Sequence, residues 1–360
     1  MLSRDGSPLA TQLSDALTPA GGTLAAGFLL SSIRARRLKT PSPIFVALSA
    51  GCGVFRFLNY QKRNSKLAAV VASVVFYRLC SKTHRQLVLA YGCIEVILQF
   101  YWDHRFLPVV AEDLVALLTT MRAGYAYLVH ADWFPPSTLK MLDFQASIPR
   151  ADLIKFRSIL HTCELTRCEA MHPGQACAPF LVKGTANILR RSVDIFVPLQ
   201  AISIVTALIS KKTVAWTKLV GQFARSAIFL TVSYMAPIAS SCVFPQRNHK
   251  LVALFASTIP YAALYIEPEK RRTSLLRALA CWSLLTFMSQ IQEWKVWKRV
   301  SHLPWTWIAT TTYAACMARI LERPETQNQL MTRYLYGRRI MRQEKVTTST
   351  RTDEMKKLSE

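Results

Sequence analysis

The sequence predicts an all-α fold, a polytopic helical membrane protein of about 8–10 apolar helices in two related halves joined by a polar Cys/His-containing connector. Three observations predict it. The 360-residue chain is 51% hydrophobic, with a mean hydropathy of +0.19. Its apolar residues gather into blocks of roughly 15 to 23 residues between short Lys/Arg-bearing breaks, and many blocks have no polar face, as a helix in lipid requires. Two of the blocks also repeat each other without a gap.

Residues 1–20 carry Asp5 and Asp15, lack a basic region running into an apolar core, and read as a disordered N-terminus rather than a secretory signal. The first helical half, 21–130, holds apolar blocks at 21–33, 43–58, 65–80, 85–102 and 108–129. A less apolar connector, 131–190, follows. The second half, 191–323, holds blocks at 191–210, 219–244, 250–266, 273–291 and 303–322. Several are shorter than the ~20 residues of a perpendicular span, so half-spans or local thinning of the bilayer are expected. Beyond Pro324, residues 324–345 place Leu330, Met331, Tyr334 and Leu335 near several arginines, which suits a basic amphipathic helix. Residues 346–360 read as a disordered tail.

The repeat pairs "NSKLAAVVASVVFY" (64–77) with "NHKLVALFASTIPY" (248–261). Asn64/Asn248, Lys66/Lys250, Ala69/Ala253, Ala72/Ala256, Ser73/Ser257 and Tyr77/Tyr261 coincide. The same offset lays 43–58 over 227–242, and Cys93 falls against Cys281 after a short insertion. Each half then contains five helices, an odd number, which implies inverted topology as in many transporters. Lys and Arg are nearly balanced between alternate breaks of the first half, so loop charge assigns no orientation.

Forty-five basic residues against 21 acidic ones give a net charge of +24. The basic residues lie in loops and in the tail, no nucleic-acid-binding motif accompanies them, and anionic lipid headgroups are the expected counterpart. Small residues four apart, including Gly22/Ala26, Gly27/Ser31, Ala47/Gly51, Ser49/Gly53, Ala69/Ser73 and Ala253/Ser257, let helix backbones approach closely. Gly27, Gly51, Gly53, Ser73 and Ser257 are therefore the expected packing residues, within the chain or towards a second copy or another membrane protein.

Charges inside apolar blocks are candidate functional groups, because burying them in lipid is costly. Glu95, Asp194 and Arg225 form that set; Glu112 and Asp113 lie near a helix start, where the dipole favours acids. No phosphate loop, HExxH, GxSxG or paired CxxC occurs, so no catalytic residue is assigned. The connector carries "HTCELTRCEAMHPGQAC" (161–177). Cys163, Cys168, His172 and Cys177 offer four soft ligands for zinc in a C-x4-C-x3-H-x4-C spacing, looser than the usual paired hooks. A Cys168–Cys177 disulfide, a reactive thiol, and a plain turn at His172-Pro173-Gly174 with packed cysteines are the competing readings. Cys52, Cys80, Cys93, Cys242, Cys281 and Cys316, in or at the ends of apolar blocks, read as small hydrophobes.

"CEAMHPGQAC" (168–177), "RRSVDIFVPLQAISIVTALISKK" and "YIEPEKRRTSLLRALACWSLLTF" together resemble the cysteine-rich region of the transmembrane protein 135 family. "GCGVFRFLNYQKRNSKLAAVVASVVFYR" is similar to that family's other region, which is related to mitochondrial inner-membrane import translocases. The resemblance covers most of 20–325; the translocase-like block comes first here, whereas the animal family places it after the cysteine-rich block. It implies a multi-pass, non-enzymatic protein of peroxisomal or mitochondrial membranes that supports organelle homeostasis and lipid metabolism. The alternatives are a transporter or conducting pathway between the halves, and a protein-import translocase component.

Overall fold

A computed structural model describes residues 8–35, 40–59, 65–148, 153–154, 157–158, 166–209, 216–243, 249–294, 297, 300, 302–323 and 335–336. The described residues are all-helical, with no strand among them. In chain order the helices are α1 (Pro8–Ala35), α2 (Pro43–Asn59), α3 (Ser65–Leu79), α4 (Lys82–His104), α5 (Val109–Val129), α6 (Pro136–Ala146), α7 (Arg167–Met171), α8 (Cys177–Ile209), α9 (Trp216–Val243), α10 (His249–Ala256), α11 (Ile259–Ala263), α12 (Glu269–Glu293) and α13 (Trp305–Glu322). Most of the expected basic helix (324–345) and the whole tail (346–360) lie outside the described residues. Within that stretch, Tyr336 packs edge-on against Phe55 with ring centroids 5.2 Å apart.

Helix α1 begins before its expected start at Gly21. Pro8 is tolerated in a first turn, where its missing N–H would have no partner. Gln12 donates to the Phe57 carbonyl at 2.5 Å, and Ala16 is buried, so 8–20 belongs to the helix rather than to a disordered tail. Pro19 sits inside α1. It cannot donate to the carbonyl of Asp15, four residues earlier. Arg56 of α2 takes that carbonyl at 3.0 Å and the Asp15 carboxylate at 3.3 Å.

The expected single block 250–266 is broken into α10, α11 and a 3-10 turn over Leu264–Ile266. Pro260 accounts for the break: it has no N–H for the Ala256 carbonyl, and its ring would collide with it. The matching position in the first half is Phe76, and α3 runs through it unbroken. The matched positions nevertheless share their burial, with Ala69/Ala253, Ala72/Ala256 and Ser73/Ser257 buried in both copies.

The chain forms two compact units, 1–102 with 301–360, and 103–300. In the first, α1, α2 and α3 pack in succession and α13 lies along α3. In the second, α8 and α9 form a hairpin, while α5 packs on α12, α10 and α11. These units are not the two sequential halves. The fifth helix of the first half, α5, folds with second-half helices, and the fifth of the second half, α13, folds with α3. Tyr77 stacks on Tyr313 at 5.1 Å in one unit. In the other, Arg122 of α5 donates to Gln290 of α12 at 2.9 Å.

Among the described residues one helix, Arg271–Glu293, is long and apolar enough to cross a membrane, and only 17% of its most apolar window is buried. Pro43–Asn59 is a shorter apolar helix.

The expected packing residues lie at close approaches. A Cβ on Gly27 would fall 2.5 Å from Phe45 Cβ, one on Gly51 2.9 Å from Phe76 Cβ, and one on Gly53 3.4 Å from Ala20 Cβ. Ser257 is matched by Gly124, whose added Cβ would lie 3.1 Å from the serine Cβ. Gly22 differs, because a Cβ there meets nothing within 4 Å. Gly51→Ala is therefore expected to destabilise the purified protein by about 1–3 kcal/mol through overpacking. Gly22→Ala should be neutral or stabilising by up to about 1 kcal/mol, through helix propensity alone. Thermal midpoints of the two variants, measured side by side, check the contrast.

Candidate metal centre

The connector builds its site from a short helix, a turn and two helix ends. Thr166 and Glu169 form a reciprocal cap at the start of α7: the Glu169 N–H donates to Thr166 Oγ1 at 3.2 Å, and the Thr166 N–H donates to Glu169 Oε2 at 2.8 Å. This cap fixes a helix only five residues long. Cys168 and His172, four apart, then fall on one face. Pro173 and Gly174 turn the chain, with Gly174 at φ +71° and the Gln175 N–H donating to the His172 carbonyl at 3.1 Å. Proline and then a positive-φ glycine at the two central positions is the type II pattern. The turn delivers Cys177 as the first residue of α8. Because α8 and α9 form a hairpin, the start of one lies beside the end of the other, and Cys242 arrives from the last turn of α9.

The four ligand atoms, three thiol sulfurs and one imidazole nitrogen, lie within 4.8 Å of one another. Cys168 Sγ is 3.2 Å from His172 Nε2 and 3.4 Å from Cys177 Sγ, and Cys242 Sγ is 3.4 Å from His172 Nε2. A tetrahedral zinc with Zn–S of ~2.3 Å and Zn–N of ~2.0–2.1 Å separates its ligand atoms by roughly 3.6–3.8 Å. The cluster brackets that spacing, so small side-chain adjustments fit the set to an ion. His172 is buried, and its Nδ1 lies 2.8 Å from the Gln175 carbonyl, which can only accept. Nδ1 is therefore the donor of that contact, and Nε2 is the ring nitrogen that faces the thiols. An outer-shell carbonyl orienting a histidine in this way is a regular feature of metal sites. Phe180 closes one side of the ring at a centroid distance of 4.7 Å. These residues could hold a metal ion.

The cluster alters the predicted set in one member. Cys163 lies outside the described residues. Cys242, read from sequence as a small hydrophobe, is instead the fourth convergent side chain. The expected turn is present as well, and it positions the ligands rather than competing with them. All of the described cysteines are free thiols, so Cys168 and Cys177 are not joined in a disulfide here. Burial pushes the Cys168 thiol above its ordinary value, and the Cys177 contact adds to the rise.

The remaining predicted residues are dispersed. Glu95 is buried on α4 in the first unit, as is Gln99 one turn later. Asp194 on α8 pairs with Arg191 at 3.1 Å on a partly exposed face, and Arg225 is exposed on α9. Asp194 and Arg225 belong to the second unit, Glu95 to the first. A further thiol pair, Cys93 and Cys316, stands 4.0 Å apart between α4 and α13.

A thiol raised above its usual value holds its proton at neutral pH, so the thiolate share of Cys168 without metal is lower than that of an unhindered cysteine. Alkylation of Cys168 in metal-free protein should therefore be slower at pH 7 than for a free cysteine and should accelerate only as pH rises above the ordinary thiol range of about 8.5. Mass spectrometry of iodoacetamide-treated protein across pH checks this; fast modification at pH 7 would contradict the protonated thiol. Comparison with family models, with curated proteins and with solved structures found no match to this chain.

Proposed function

We propose that the chain is a polytopic integral protein of a peroxisomal or mitochondrial membrane, of the transmembrane protein 135 type, supporting organelle homeostasis and lipid metabolism without catalysing a reaction. The observation that carries the membrane reading is an inverted distribution of side chains. Large apolar residues face outward: Val110 is 80% exposed, Val109 71%, Val182 70% and Leu17 61%. Many interior positions carry small or hydroxylated residues beside larger ones, Ala47, Ala69, Ala72 and Ser73 in one unit, Ala126, Ala253, Ser226 and Thr286 in the other. Water-soluble chains place large apolar residues inside and rarely expose so many. In lipid the outward Val and Leu side chains meet hydrocarbon, and small interior residues let helices pack by close contact. The organelle and the role rest on the sequence resemblance at 168–177 and its flanking helices. Zinc is the ion this reading assigns to the Cys/His cluster, as a structural component, because its four protein ligands leave no open position for substrate.

A second reading, a transport pathway, is favoured by the burial of Glu95 at 6% exposure and Gln99 at 4%, one turn apart on α4. A buried carboxyl beside an amide on an otherwise apolar helix suits an ion or proton relay.

Two measurements separate these. Tagged protein should resist alkaline carbonate extraction and co-fractionate with peroxisomal or mitochondrial markers; release into the soluble fraction, or a plasma-membrane location, would overturn the leading proposal. For the second reading, Glu95→Gln should abolish solute or proton flux in vesicles while inserting normally, and a wild type without flux removes it.

A further inference from the structure

We infer that the metal ion is a clasp: held by Cys168, His172, Cys177 and Cys242, which together fill a tetrahedral set, it pins the connector turn to the far end of the α8–α9 hairpin. This rests on the zinc assignment for the cluster and adds to it which segments the ion joins.

Three ligands lie within a ten-residue stretch, and a site made only of 163, 168, 172 and 177 would organise the connector locally. The observed fourth ligand changes that topology. Cys242 is 70 residues from His172, with both long helices of the hairpin between them. An ion bonded to all four therefore closes a long loop, which removes far more freedom from the unfolded chain than a local hook does. Without the ion little else holds this turn. Helix α7 has five residues, too few for a stable helix alone, and its apolar anchor is Met171, which packs against the cluster formed by Ile188, Leu230, Met235 and Ile238. Pro173, Gly174, Gln175 and Ala176 are all exposed.

The chemistry selects the ion class. Three thiolates and one imidazole are soft ligands that disfavour magnesium and calcium. A closed four-ligand set is the signature of structural zinc. Binding replaces three thiol protons with metal bonds, so each chain loaded at neutral pH releases up to about three protons to solvent.

The test uses the full chain purified without chelator and reconstituted with Zn²⁺, or with Co²⁺ as a spectroscopic stand-in. Elemental analysis should find one zinc per chain in the wild type and in Cys163→Ser. Cys242→Ser should weaken zinc by at least roughly 100-fold, beyond what an outer-shell change produces. Limited proteolysis should cut the 172–177 turn faster in metal-free protein and in Cys242→Ser than in zinc-loaded wild type. Should Cys242→Ser not fold, Cys242→His keeps a ligand at the position. Its Co²⁺ complex should remain tetrahedral with weaker sulfur-to-cobalt absorption, one thiolate having been replaced by imidazole. If Cys242→Ser keeps its zinc, or Cys242→His leaves the cobalt spectrum unchanged, the clasp is wrong and the zinc assignment stands. If wild type takes up neither ion, both fail, and the membrane proposal is untouched.

Discussion

The structure depends on how closely its helix backbones can approach. Many Val, Leu and Phe side chains turn outward, and where helices cross most closely small residues face one another or a larger neighbour. Gly27 against Phe45, Gly51 against Phe76 and Gly124 against Ser257 are the places where the missing Cβ sets the separation. Several buried hydroxyls do not disturb this packing, because they are satisfied within their own helix. Thr23 donates to the Pro19 carbonyl at 2.8 Å, Ser192 to Ile188 at 2.9 Å, Ser226 to Gln222 at 2.9 Å and Ser257 to Ala253 at 2.5 Å. A hydroxyl bonded one turn back occupies little more room than a methyl group and leaves no orphaned donor.

The connector uses a different kind of cohesion. Trp133, Phe134 and Leu142 bury an apolar cluster with Ala126 of α5, and polar contacts add to it. Asp143 of α6 accepts from Tyr127 at 3.1 Å and from Arg157 at 3.0 Å, and Tyr234 of α9 donates to Gln145 at 3.0 Å. The Cys/His cluster is the last of these contacts along the chain and the one that reaches the end of the hairpin. Its geometry needs the hairpin first: Cys177 and Cys242 come together because antiparallel neighbours place the start of one helix beside the end of the other.

This explains what the sequence could and could not reveal. The apolar blocks located α2, α3, α5 and α9 to within a few residues, because long apolar runs bounded by basic breaks have few alternatives to helix. The break at Pro260 was visible as a residue but hidden by the apolar run around it. Helix α1 was read short because Asp5, Asp15 and two prolines lower hydropathy, while Arg56, which answers Asp15, lies on another helix. For the site, the spacing within 168–177 exposed three of the four ligands. Cys163, the remaining member of the predicted set, lies outside the described residues. Cys242 closes an apolar block, but joining it to Cys177 required the hairpin topology, because helix α8 starts at Cys177, well before the apolar block at 191.

The exchange of fifth helices gives the two sequence-related halves a reason to stay in one chain. Helix α3 is completed by α13, through the Tyr77–Tyr313 stack and the ion pair of Lys66 with Glu322 at 2.9 Å. Gly92 of α4 admits the same helix, since a Cβ there would stand 3.5 Å from Cys316 and Tyr313. In the other unit, α12 is completed by α5, whose Arg122 reaches Gln290 and lies over the Phe287 ring at 5.3 Å. Each unit draws helices from both halves, so neither half builds a unit alone. During synthesis the first unit stays open until α13 emerges, long after α4. The second unit has α5 in hand from the start and lacks only α8 to α12. The Cys/His cluster forms in that second unit as soon as α9 is complete, so its ligands assemble while the first unit is still waiting for its last helix.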